Sequence, residues 1–160
     1  MGIVLSLYDY TGEALNPWAD AGHECYAFDI QHDPHEVTKE YYHRIGNGSI
    51  EYHHADLHDP QSFVDIKRAL PFMDHPVIFG MAFPVCTDLA VSGAAWFKKK
   101  AEANPWFQDE AVNHAMTCAR FYEDLGVPYL IENPVSVLAT KWRKPDYSFH
   151  PYEYGGYIED

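Results

Sequence analysis

The chain has 160 residues, 47% of them apolar, and a formal charge of −13. That is enough for one domain burying roughly two-thirds of its unfolded surface, without the overall positive charge that proteins gripping a phosphate backbone normally carry. No apolar run approaches the ~20 residues of a membrane span, no leader pattern opens the chain, and Cys25, Cys86 and Cys118 are too few and too scattered for a disulfide framework, which points to a reducing, cytoplasmic setting.

Taken in chain order, Ile3 to Tyr8 is a buried-strand pattern broken by Asp9-Tyr10-Thr11-Gly12, and Glu13 to Ala21 reads as a short helix with Pro17 in it and Gly22 behind it. Glu24 to Ile30 is a second strand carrying Asp29. Strand, glycine-bearing turn, helix, strand and acid are the order of a nucleotide-binding βαβ unit, with the acid ~20 residues past the turn. Residues 31–48 are polar, rich in histidine and tyrosine, and read as a long excursion loop. Ser49 to Ala55 is a third strand, followed by Asp56, and Pro60 to Leu70 a helix with proline at its start. Met73 to Ala82 holds the fourth strand, ending at Pro84-Val85-Cys86. Ala94 to Lys100 is a short basic helix. Phe107 to Leu125 carries a helical stripe at Ala111, Ala115, Cys118, Ala119 and Tyr122. Val127 to Ile131 is a fifth strand running into Glu132-Asn133-Pro134, and the tail from Lys141 shows no periodicity.

Alternating strands and helices predict an α/β fold with a doubly wound, mostly parallel sheet. Its carboxyl edge, where open α/β sheets bind ligands, then gathers Asp9, Asp29, Asp56, Cys86 and Glu132. The first three strands offer what a nucleoside-bearing cofactor needs. The last two set a thiol beside a carboxyl group, as nucleophile and proton partner for an electron-poor ring. Cys25 and Cys118 read as core residues. The ten histidines lack a Cys-x-x-Cys or His-Glu-x-x-His frame, so no metal site is expected. Lys98-Lys99-Lys100 and Lys141-Trp142-Arg143-Lys144 are either guides for a phosphate backbone or solvated helix ends. Trp96, Trp106, Phe107 and Trp142 are either packing residues or surfaces for stacked bases.

Pro84-Val85-Cys86 after strand four and Glu132-Asn133-Pro134 after strand five resemble the catalytic pair of the DNA cytosine-5 methyltransferases, most of all small phage-encoded members. The likeness runs through Ser6-Leu7-Tyr8-Asp9-Tyr10-Thr11-Gly12, Asp29-Ile30-Gln31-His32, Pro84 to Gly93, Ile131 to Pro134 and Arg143-Lys144-Pro145-Asp146. It implies a Rossmann-like S-adenosyl-L-methionine-dependent methyltransferase fold over 1–160, shortened at its carboxyl end and without a separate target-recognition domain. It also implies attack by Cys86 on carbon six of a flipped cytosine, with Glu132 at N3 and Arg143 assisting. Asp9, Thr11 and Gly12 would meet the methionine end of the cofactor, Asp29 the ribose and Asp56 the adenine amine, with Ile30 and Pro84 bordering the pocket. The implied partner is DNA in a host cytoplasm, with a second subunit or second copy supplying target recognition. Val85 stands where the family usually has proline, and the first turn keeps one glycine, Gly12. Two rivals stand beside this reading: a catalytically silent relative acting as a phage accessory or decoy, and a methyl or one-carbon transferase acting on a free pyrimidine nucleotide.

Overall fold

The computed structural model describes residues 1–42 and 47–150. Its strands are β1 (Ile3–Leu7), β2 (Glu24–Asp29), β3 (Thr38–Tyr42), β4 (Gly48–His54), β5 (Val77–Ala82) and β6 (Tyr129–Ile131). Its helices are α1 (Asn16–Asp20), α2 (Pro60–Ala69), α3 (Phe97–Ala103), α4 (Phe107–Leu125) and α5 (Leu138–Lys141). None of the helices is long and apolar enough to cross a membrane.

The strands form one mixed, mostly parallel sheet in the order β3-β4-β2-β1-β5-β6. Every pairing is parallel except β3 with β4. From β1 the chain steps outward through β2 to β4, then returns to the other side of β1 for β5 and β6. The order therefore reverses between β1 and β5, where an open α/β sheet leaves a crevice at its carboxyl edge.

Alternation along β1 explains the layering. Ile3, Leu5 and Leu7 point to one face and pack with Phe63 and Ile66 of α2 and with Cys118, Phe121 and Tyr122 of α4. Val4 points to the other face, with Cys25, Ala27, Ile50 and Met81 from other strands of the sheet, with Leu15 just before α1 and with Ala19 inside it. Helices thus cover both faces. In α4 the predicted stripe is buried in full, joined by Val112 and Phe121, and Gly126 closes the helix at φ 69°. Asp59 caps α2 by accepting the Gln61 N–H at 2.9 Å, with Pro60 at the first helical position.

At the reversal between β1 and β5, Gly80 has no side chain because the Tyr122 ring lies there; an added Cβ would overlap that ring. The fully buried Tyr122 hydroxyl sits 2.6 Å from Met81 O on β5 and 3.2 Å from Leu5 O on β1. Burial pushes this phenol well above its ordinary pKa, so it remains a donor.

Several boundaries move from their sequence-based positions. Residues 31–48 are not one loop. Thr38–Tyr42 forms the antiparallel edge strand β3, whose Lys39 lies opposite Glu51 and ion-pairs with it; 43–46 lie outside the described residues. The fourth strand opens at Val77 rather than Met73, because Leu70–Phe72 form a 3₁₀ turn and Pro76 precedes the strand. The fifth is confined to Tyr129–Ile131. The basic helix is α3, preceded by a 3₁₀ segment over Val91–Trp96. The tail contains the one-turn α5, and 151–160 lie outside the described residues.

Tyr122→Phe, which removes this buried hydroxyl's hydrogen bonding to β1 and β5, is expected to lower unfolding free energy by about 1 kcal/mol. Gly80→Ala, which overpacks the same contact, is expected to lower it by ~1–3 kcal/mol. Urea unfolding of each variant checks both, and wild-type midpoints would remove this contact from the account of the fold.

Candidate functional site

The turn after β1 is built by Asp9. Its carboxylate is buried and both oxygens are used: Oδ2 accepts the Ser6 hydroxyl at 2.6 Å and Oδ1 accepts the Gly12 N–H at 2.8 Å. Gly12 takes φ 68°, and an added Cβ would stand 2.8 Å from the Tyr52 ring, so both conformation and space call for glycine. Asp9 therefore shapes the loop rather than presenting charge to its mouth. Thr11 is exposed, and its carbonyl accepts the Tyr52 hydroxyl at 3.4 Å. Tyr8, the last residue before this turn, has φ 56°, the only non-glycine with positive φ among the described residues. Its hydroxyl donates to Leu57 O at 2.9 Å and so ties the end of β1 to the loop after β4.

A cavity of about 310 Å³ opens beside that tie, lined by Tyr8, Asp29, Ile30, Asp56, His58 and Val85. Asp29 is buried at the end of β2, with Oδ1 accepting the Gln31 N–H at 2.9 Å. Ile30 is 55% exposed, an apolar side chain displayed at the rim. Asp56 receives the His58 N–H at 3.0 Å, and His58 stacks on His114 of α4 with ring centroids 4.1 Å apart. Burial and the neighbouring His58 hold His114 below its ordinary pKa. Beyond Gln31 lies a second, more polar cavity of about 400 Å³ that includes His32, Glu36, Glu40 and Tyr52. The smaller one is the better candidate, because it joins the ends of β1, β2 and β4 to Val85 beside Cys86. His32, which lines the larger cavity, has its ring nitrogens 2.9 Å from His53 O and 3.0 Å from Tyr10 O.

Cys86 and Glu132 come from adjacent strands. The Glu132 N–H donates to Ala82 O at 3.0 Å, extending the β5–β6 ladder toward the loops. Cys86 heads a tight turn in which its carbonyl accepts the N–H groups of Leu89 at 2.9 Å and Ala90 at 2.8 Å. The two loops are then stitched together. Asn133 Nδ2 donates to Pro84 O at 3.2 Å, Val91 N–H to Val135 O at 3.1 Å, and Val137 N–H to Leu89 O at 3.1 Å. Asn133 Oδ1 is buried and has no partner among the described residues. Burial raises the Glu132 carboxyl above its ordinary pKa. Cys25 and Cys118 are buried thiols pushed up to about 12, chemically quiet at neutral pH. Cys86 is only half-buried.

Arg143 stands apart from this pair. Its guanidinium holds both oxygens of Asp146, at 2.6 and 2.7 Å, and among the described residues it has no hydrogen bond or ion pair to Cys86 or Glu132. Lys100 pairs with Asp88, and Lys141 with Asp109 at 2.7 Å. Half of the apparent basic runs is thus neutralised locally. Sequence reasoning missed Tyr8 and His58 as parts of the cavity wall, and His114 as the ring stacked on His58. Tyr8 had a signal, being the residue between strand and turn; His114 had none, since only the fold carries it to His58.

The Glu132 shift has a definite consequence for stability. A carboxyl whose folded-state pKa is raised contributes stability that is full below its unfolded value, near 4.5, and lost as pH climbs through the raised value. Urea midpoints are therefore expected to fall over that window in wild type, and Glu132→Gln to remove this part of the slope and gain relative stability at neutral pH. Parallel curves for the two proteins would show that Glu132 is not held in its neutral form. Compared with known proteins, the chain matches no family model, no curated protein and no solved structure, so its function is argued from this geometry and from the motifs that converge in it.

Proposed function

We propose that this chain transfers a methyl group from S-adenosyl-L-methionine to carbon five of cytosine in DNA, on a Rossmann-like methyltransferase fold. One observation carries the reading. The cysteine loop and the Glu132-Asn133-Pro134 loop are stitched into one unit beside a cavity whose walls include Asp29, Ile30 and Asp56.

The cavity fits the nucleoside part of the cofactor. Its volume of about 310 Å³ lies at the small end of ligand pockets, roughly 300–1,000 Å³. Asp29 offers a buried carboxylate to a ribose diol, Ile30 an apolar surface to a base, and Asp56 an acceptor to an exocyclic amine. Asp9 and Gly12 hold the turn after β1, whose Thr11 lines the neighbouring, more polar cavity, and Pro84 anchors the cysteine loop on Asn133. When bound, S-adenosyl-L-methionine supplies an electrophilic methyl group.

The chain's own residues prepare the cytosine. Cys86 Sγ, as thiolate, forms a bond to carbon six, and the ring electrons shift toward carbon five and N3. Glu132, in the protonated form that its burial favours over an exposed carboxyl, donates its proton at N3 and lets carbon five act as a nucleophile. Once carbon five carries the methyl group, its proton passes to a water molecule, the C5–H electron pair re-forms the carbon-five–carbon-six double bond, the C6–S bond breaks to release the Cys86 thiolate, and Glu132 recovers its proton from N3. Asn133 fixes Glu132 by tying the loop that follows it to Pro84. Arg143, bound to Asp146, is assigned no step.

Calorimetric titration with S-adenosylmethionine and S-adenosylhomocysteine is expected to show binding to wild type that Asp29→Ala weakens about tenfold or more, the effect of losing a charge-assisted hydrogen bond. DNA carrying 5-fluorocytosine is expected to trap a covalent adduct on wild type, seen as a mass shift, and none on Cys86→Ala. Failure of wild type to bind either ligand would sink the methyl-transfer reading.

A further inference from the structure

Trp96 and Trp106 are 62% and 67% exposed, unusual for the largest apolar side chain. They are not at loose ends of the chain. Each is followed by a half-buried phenylalanine, and Phe97 and Phe107 meet edge to face with ring centroids 5.7 Å apart. Two exposed indoles therefore flank one packed aromatic joint. Between them, α3 carries Lys98, Lys99 and Lys100. Lys100 turns back to the cysteine loop, pairing with Asp88 and donating to Thr87 O at 3.2 Å. Lys98 and Lys99 are exposed and have no ion pair among the described residues. At the other end of the patch, Val91 and Val135, 56% and 84% exposed, are joined by their backbones. The patch is thus bonded to both loops of the proposed reaction site.

We propose that residues 91–107 form a stacking platform for an unpaired, cytosine-bearing DNA strand. This deepens the methyl-transfer reading and rests on it for the choice of base. The argument is one of magnitudes. Duplex binding is driven by many phosphate contacts, each from a cation free to displace counterions. In a chain of charge −13, Lys100, Lys141 and Arg143 are already engaged by Asp88, Asp109 and Asp146. That leaves Lys98 and Lys99 to meet phosphates on this patch. Two such contacts are far short of what holds a duplex, whose base faces are hidden in its stack. An unpaired strand exposes those faces, and indoles bind them without sequence preference. It also spares the unpairing that flipping a base from a duplex requires.

The test is fluorescence anisotropy on the full chain without cofactor. The probes are a labelled, cytosine-containing strand of about 12 nucleotides, the same strand annealed to its complement, and dCMP as competitor. The strand is expected to bind about tenfold or more tighter than the duplex and than dCMP. Trp96→Ala and Trp106→Ala are each expected to weaken it by about 5- to 100-fold with unchanged unfolding midpoints, since both indoles are exposed. The logarithmic salt slope is expected to be shallow, about −1 to −2, as two lysine–phosphate contacts give. Equal affinity for the duplex, dCMP competing as well as the strand, or tryptophan variants that bind normally would each overturn the platform. So would self-association that Trp96→Ala abolishes without any strand binding, which would give the patch to a second copy. Strand binding without S-adenosylmethionine binding would sink the methyl-transfer reading and leave the platform standing; the reverse would sink the platform alone.

Discussion

The Tyr122 hydroxyl lies between two backbone carbonyls of neighbouring strands, Leu5 O and Met81 O, over a position where Gly80 leaves room for its ring. A fully buried phenol must donate to something, and here the acceptors belong to the two strands between which the sheet changes direction. The contact fixes the last turn of α4 against that junction. With that end fixed, the first half of α4 delivers Ala111, Val112 and Ala115 to Leu89 and Leu138. Those two residues sit in the loops that carry Cys86 and follow Glu132. One buried phenol thus reaches, through a rigid helix, the placement of both loops.

The acidic edge divides its labour by burial. Asp9 spends both carboxylate oxygens inside its own turn. Asp29 uses one oxygen on Gln31, and Asp56 one on His58. Glu132 is protected enough for desolvation to favour its neutral form. Carboxyl groups of similar intrinsic chemistry thus differ in their free oxygens and in their affinity for a proton because their surroundings differ.

The readable parts of the fold were those where burial leaves a pattern. β1 is a run of buried apolar residues and α4 an unbroken stripe, and both lie where periodicity puts them. β3 was hidden because its five residues, Thr38 to Tyr42, are almost wholly exposed and paired through backbone bonds to β4, which no side-chain alternation reports. The site was legible as a set of strand ends, since parallel pairing alone brings Asp9, Asp29, Asp56, Cys86 and Glu132 to one edge. Its electrostatics were not. Lys141 meets Asp109 across 32 positions and Lys100 meets Asp88 across 12, so runs of lysine that look like patches are partly cancelled by distant acids. Nor does a tyrosine codify a left-handed backbone: the φ of 56° at Tyr8 is imposed by what its hydroxyl and ring hold.

The stitching of the cysteine loop to the 132–138 loop has a mechanical consequence. Bonds from Asn133, Val91 and Val137 cross between the two segments, and Phe83–Leu7 and Glu132–Ala82 join them to the strands below. The same two segments rest on the first half of α4 through Leu89 and Leu138. Thiol and carboxyl therefore share one support, and a substitution that shifts either segment is expected to displace both groups rather than one.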